Sequence, residues 1–466
     1  MFAHRLFAAA ALIASAASAQ VVHLPAYPFI GTKADARVGS SVSGAGDVNG
    51  DGFDDVIVGA PTENNASGVT TGVARVYSGR TGAFLRTFYG DSAGDQFGWS
   101  VSGAGDVNND GIPDFIVGAP QDDNTGTDSG SARVFSGANG AILYTFNGDS
   151  ADDRFGLSVS GAGDVNNDGF DDLIVGAYQD DNTGADSGSA RVFSGATGAI
   201  LYTFNGDAAG DRFGWSVSGA GDVNGDGFDD VIVGARFNDS NGTDSGSAQV
   251  FSGATGAVLY TFNGVGAGDL FGWSVSGAGD VNGDGFADLI VGAPFHDANG
   301  ANSGSARVLS GADGAVLHTF VGDAVGDNLG SSVGGAGDVN GDGFADLIVG
   351  VPLADNNKNI NSGSARVFSG ADGAILYTFN GDAGNDQFGL SVGGAGDVNN
   401  DGFDDLIVGT PLADNNYINS GSARVFFSVA TCPPPTAPCP GDADGNRAVN
   451  FADIANVLAN FNLICP

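Results

Sequence analysis

Short apolar runs, separated by polar turns, recur along most of this chain, and their order within one unit predicts four β-strands. In residues 155–206, Phe155, Leu157 and Val159 alternate with small or polar residues and predict strand A over 155–163. Residues 164–172 form a polar turn. Leu173 to Ala177 is a continuous apolar run, fit for a strand B buried on both faces. Residues 178–188 have loop composition. Strands C (189–195) and D (199–206) follow, joined by the tight turn Ala196-Thr197-Gly198. No repeat carries a useful 3.6-residue apolar stripe, so helices are not expected there.

The same unit occurs seven times. Its turn opens on Asp47, Asp106, Asp164, Asp222, Asp280, Asp338 and Asp397, at steps of 59, 58, 58, 58, 58 and 59 residues. Equal units of this length stack as an open array or close into a ring. The ends favour the ring. The seventh unit lacks its fourth strand after residues 422–428, whereas the segment ending in Phe29-Ile30-Gly31 matches the Phe-x-Gly end of the other fourth strands. The expected fold is all-β: a seven-bladed β-propeller of four-stranded blades over residues 20–430, closed by the N-terminal strand.

Each turn also carries ligand spacing. Position 1 is Asp, 3 Asn, 5 Asp, 6 Gly and 9 Asp, and position 7 offers its backbone carbonyl. A hard cation such as Ca²⁺ takes six to eight oxygens, and Gly at position 6 permits the sharp bend. The candidate ligands are Asp47, Asn49, Asp51, Phe53 and Asp55; Asp106, Asn108, Asp110, Ile112 and Asp114; Asp164, Asn166, Asp168, Phe170 and Asp172; Asp222, Asn224, Asp226, Phe228 and Asp230; Asp280, Asn282, Asp284, Phe286 and Asp288; Asp338, Asn340, Asp342, Phe344 and Asp346; and Asp397, Asn399, Asp401, Phe403 and Asp405. As a plain Asx turn, each loop would hold three carboxylates about 4 Å apart without a counter-ion, at up to about 4 kcal/mol per close pair. Seven structural calcium ions are therefore expected.

Phe-Gly at the start of strand A and Gly-Ala-Pro after strand B (Gly59-Ala60-Pro61, Gly118-Ala119-Pro120, Gly292-Ala293-Pro294), with the cation loop between them, resemble FG-GAP repeats as in the integrin α-subunit propeller. The resemblance covers residues of about 21–428. The third, fourth, sixth and seventh units depart from Gly-Ala-Pro, with Tyr178, Arg236, Val351 and Thr410 among the replacements. Strand order puts the cation loops on one face and the variable loops opposite. The resemblance implies that an extracellular protein or glycan binds on that opposite face.

Residues 1–19 look like a signal peptide, with Arg5, a short apolar run and Ala17-Ser18-Ala19 before the expected cut. A secreted or cell-surface location without membrane insertion is expected. The formal charge is −39, from 55 acidic against 16 basic residues, which argues against nucleic-acid partners. The aspartates sit at fixed places in each unit, as ligands and turns do. Cys432, Cys439 and Cys465 all fall outside the repeats, so disulfides are not expected to hold the blades.

Beyond a Pro-rich linker (431–440), residues 441–466 form a second small unit. Asp442, Asp444, Asn446, the Ala448 carbonyl, Asn450 and Asp453 fit positions 1, 3, 5, 7, 9 and 12 of an EF-hand-type loop, followed by the apolar stripe Ile454, Val457, Leu458 and Phe461. This resembles half of a dockerin repeat and implies an eighth calcium and a cohesin-like partner. Arg447 stands where position 6 expects Gly, and no second loop–helix follows.

No nucleophile motif, phosphate loop or metalloprotease motif is present. A calcium-dependent adhesion or ligand-binding scaffold without catalysis is the first reading. A polysaccharide hydrolase or lyase using acids on the variable loops is the alternative. The recurrent Arg75, Arg133, Arg191, Arg307, Arg366 and Arg424 are expected to make ion pairs within a blade, and Trp99, Trp215 and Trp273 to pack in the core.

Overall fold

The computed structural model describes residues 20–356 and 359–431. These form 28 strands in seven four-stranded antiparallel sheets, and the propeller unit spans His23–Ser428. In the third blade the strands are Val159–Gly163, Asp172–Ala177, Ser189–Phe193 and Ile200–Asn205, paired in sequence order. Strand B is buried at all six positions in this blade, as a continuous apolar run requires. The signal-peptide segment, the linker from residue 432 onward and the proposed C-terminal loop–helix, with all three cysteines, lie outside the described residues; Thr431, assigned to the linker, ends the strand Ser422–Thr431.

The seventh sheet places Gln20–Ile30 beside Ser422–Thr431, followed by Asp405–Thr410 and Ser391–Gly396. The N-terminal strand is therefore the outer strand of the last blade. Phe29 stacks on Tyr77 of the first blade at 4.1 Å between ring centroids. The same contact joins Phe146 to Phe193 and Phe204 to Phe251 across other blade junctions, at 4.0 and 3.9 Å. Around the axis, a serine hydroxyl of one strand A accepts the next blade's valine N–H, as in Ser100 to Val159 at 3.1 Å. Ser391 to Val42, also 3.1 Å, closes that ring between blades seven and one.

One expectation is revised. The Phe-Gly pair was assigned to strand A of its own blade, yet in the third blade strand A begins only at Val159. Phe155 instead makes a parallel bridge to Gly130 of the preceding blade's B–C loop, and its side chain is fully buried. Gly156 follows with φ +86°, a conformation that glycine adopts without strain. Its carbonyl oxygen lies 2.0 Å from where a Cβ on Gly118 would stand. The Phe-Gly and Gly-Ala signatures are thus two halves of one blade-to-blade joint. Only the fourth blade extends the strand across this pair, as Phe213–Gly221.

Candidate functional site

The seven cation loops share one hydrogen-bonding scheme. In the third, the Asp164 carboxylate accepts the N–H groups of Asp168 (2.9 Å) and Gly169 (2.8 Å), bending the loop around it. Asp168 accepts the N–H of Phe170 at 3.1 Å. Position 6 has φ between +84° and +90° in all seven loops, which explains its glycine. Position 4 is also left-handed, as in Asn167 (φ 56°) and Gly225 (φ 73°), and is held only by Asn or Gly.

Position 9 carries the chemistry. Asp55, Asp114, Asp172, Asp230, Asp288, Asp346 and Asp405 are all fully buried. Asp172 accepts N–H groups from Gly195 in the C–D turn (2.8 Å) and from Val165 (3.1 Å), and takes the Asn166 amide at 3.0 Å. No loop carboxylate pairs with a lysine or arginine among the described residues. Desolvation, above all, pushes Asp172 up to about 7, and Asp168 and Asp164 add to it by repulsion. Asp405 rises to about 8 from the same causes. A buried carboxylate that is repelled by two neighbouring carboxylates and lacks a cationic side chain suits a divalent ion. The donor set is all oxygen, as Ca²⁺ prefers.

No cation loop among the described residues brings an oxygen from each of its three carboxylates within 4.8 Å of the others. Among the described residues, the carboxylate triads with oxygens all within 4.8 Å of one another are Asp91–Asp95–Asp122 and Asp149–Asp153–Asp180, on the opposite face. In the cation loops, backbone N–H groups already donate to each of the three carboxylates, as to Asp164, Asp168 and Asp172. Sequence reasoning missed those two triads because each draws on two successive repeats. Arg133 reaches Asp91 at 2.5 Å and Asp122 at 3.4 Å, and Arg191 does the same with Asp149 and Asp180.

Position 8 was also missed. Asp171 Oδ2 accepts the N–H of Asp106 in the preceding blade's loop at 2.7 Å, and Asp229 bonds Asp164 likewise at 2.9 Å. Asp54 makes this bond to Asp397 (3.0 Å), linking the first and last blades. Pro113, Ala287 and Ala345 hold the position elsewhere, so the sequence signal was Asp recurring in only some copies.

Five of the six recurrent arginines form ion pairs, often with a partner in the connection from the preceding blade rather than within the blade; Arg307 has no ion pair among the described residues and lies over the Phe271 ring. Arg133–Asp91, Arg191–Asp149, Arg366–Asp323 and Arg424–Asp382 are of this kind, and Arg75–Glu63 stays within its blade. The tryptophans are not in the blade core. The phenylalanine two residues earlier fills that place, and Trp99, 38% exposed, lies on the loop face. Trp215 and Trp273 lie half-buried there, 5.5 Å apart with Arg236 against both rings.

These features define a closed seven-bladed propeller with an acidic, cation-type loop in every blade. The FG-GAP repeat model matches residues 38–77, 97–135, 155–193, 213–251, 271–309, 329–368 and 388–426, more than half of the chain. The chain belongs to the FG-GAP repeat family. It is similar to integrin alpha-5 of Xenopus laevis, 34% identical over 226 residues, which is 44% of this chain and 20% of that protein. Integrin alpha-V of Gallus gallus is 32% identical over 238 residues, 47% of this chain and 22% of that protein. The chain thus spans about a fifth of the length of these relatives. Among the described residues, no helix is long and apolar enough to cross a membrane.

Proposed function

We propose that this protein is a secreted, calcium-binding adhesion or ligand-binding scaffold, with its metals in a structural role. The observation that carries the reading is the buried position-9 aspartate, present in seven loops and paired with no cationic side chain. Calcium bound there would take the carboxylates at positions 1, 5 and 9, the Asn at 3 and the carbonyl at 7. It would neutralise charge where the A–B loop meets the C–D turn. The similarity to integrin alpha chains supports an extracellular protein or glycan as the partner, bound on the loop face opposite the cation loops.

Extracellular calcium sites of this kind bind at roughly 10⁻⁴ to 10⁻³ M. At ten times the dissociation constant, each site adds about 1.4 kcal/mol by mass action. Seven sites would add on the order of 10 kcal/mol, comparable with the whole stability of a domain. The melting midpoint should therefore fall by many degrees when a calcium chelator replaces millimolar calcium. An unchanged midpoint would remove the structural role.

A further inference from the structure

The position after the Gly-Ala of strand B is proline in five blades (Pro61, Pro120, Pro294, Pro352 and Pro411), Tyr178 in the third and Arg236 in the fourth. Arg236 is only 7% exposed. Its guanidinium carbon sits 3.2 Å from the centroid of Trp215 and 4.7 Å from that of Trp273. Tyr178 meets Trp215 edge-on from the third blade, and Phe295 meets Trp273 from the fifth. Arg212 adds a second cation, 5.6 Å from the Tyr178 ring and 5.0 Å from that of Phe237. The cluster thus spans the third to fifth blades on the loop face.

Neither guanidinium has an ion pair among the described residues, in a chain with 55 acidic side chains. The Arg236 Nε is buried without a hydrogen-bond partner. The nearby carboxylate of Asp211 is engaged instead by Asn238 at 3.0 Å. Desolvation, then repulsion from Arg212, pulls Arg236 down to about 9. Arg133 and Arg191, by contrast, each pair with two carboxylates. A desolvated cation without an anion is costly, and stacking on indole offsets only part of that cost.

We propose that Arg236 and Arg212, walled by Trp215, Trp273 and Tyr178, bind the carboxylate of an acidic saccharide. A guanidinium fork matches a carboxylate in two parallel hydrogen bonds. Indole and phenol rings offer flat apolar walls to the C–H face of a sugar ring. The net charge of −39 disfavours densely charged polyanions, so the ligand carries its carboxylates singly, as a uronic-acid residue does. This assignment rests on the loop face being the binding face and adds the chemistry it recognises.

The test uses the calcium-loaded full chain and its own fluorescence, because two of its three tryptophans lie in the cluster. Titration with a galactose oligosaccharide that bears a single terminal galacturonate should quench the emission saturably, and the neutral galactose oligosaccharide should not. A Trp99→Phe chain should keep the signal. Arg236→Met should weaken binding at least tenfold while holding or raising the melting midpoint, since it replaces an unpaired buried charge with an apolar side chain. Should that variant fail to fold, Arg212→Ala should still weaken the uronate and leave the midpoint in place. Equal binding of the neutral sugar, unchanged affinity in folded variants, or no saturable response to about 1 mM uronate would overturn the assignment. So would selective binding of an aspartate-rich peptide. Glycan or protein capture that survives Arg236→Met would discard this site and keep the loop face as the binding face.

Discussion

At the scale of single residues, position 9 of each loop does two jobs. Asp172 ties the Gly195 and Val165 N–H groups into the blade and, on the proposed reading, would supply a metal oxygen. Asp172→Ala should orphan both donors, at about 1–3 kcal/mol for each. Asp172→Asn keeps an acceptor and should destabilise less. Both should lower bound calcium by one ion per chain in atomic emission, and denaturant titration should separate the two in stability. A full metal complement in Asp172→Ala would mean that Asp172 is no ligand. The candidate ligand residues were legible because their types and spacing repeat. The Asp171 clasp was not, since its partner Asp106 sits one blade back and 65 residues away. Arg236 was visible as a departure from Gly-Ala-Pro, but its contact with Trp273 of the fifth blade arises only when two blades meet.

At the scale of elements, the blade junction explains the glycines of the signature. A Cβ on Gly176 would stand 2.1 Å from the Gly214 carbonyl oxygen of the next blade, and rigid backbone cannot yield that space. Gly169 has nothing within 4 Å of its would-be Cβ but has φ +86°. Gly169→Ala should therefore cost about 1–2 kcal/mol through conformation alone. Gly176→Ala should cost at least the upper end of the roughly 1–3 kcal/mol range for overpacking, and should yield less soluble protein. Equal destabilisation by both, measured by chemical denaturation, would contradict this division. Four strands per blade could be read from alternation and from the apolar run at 173–177. The departure of Phe-Gly from its own sheet could not, because Phe155 alternates correctly with Leu157 and finds its partner, Gly130, in another repeat.

At the scale of the whole propeller, closure depends on the N-terminal strand. Deleting residues 20–30 removes the outer strand of the last blade and the Phe29–Tyr77 stack. The shortened chain should lose its single cooperative melting transition, and calorimetry would show it; an intact transition would mean the strand is dispensable. The ring was legible from two local facts, the missing fourth strand at one end and the surplus Phe-x-Gly at the other. The serine-to-valine hydrogen bonds around the axis were not, since a serine in strand A reads equally well as a solvent-facing residue. The central claim is that each blade keeps a buried aspartate because an ion sits beside it. The most direct measurement is a crystallographic anomalous difference map of the full chain at millimolar calcium. The account predicts a peak against Asp55, Asp114, Asp172, Asp230, Asp288, Asp346 and Asp405; a map with those seven loops empty would contradict it.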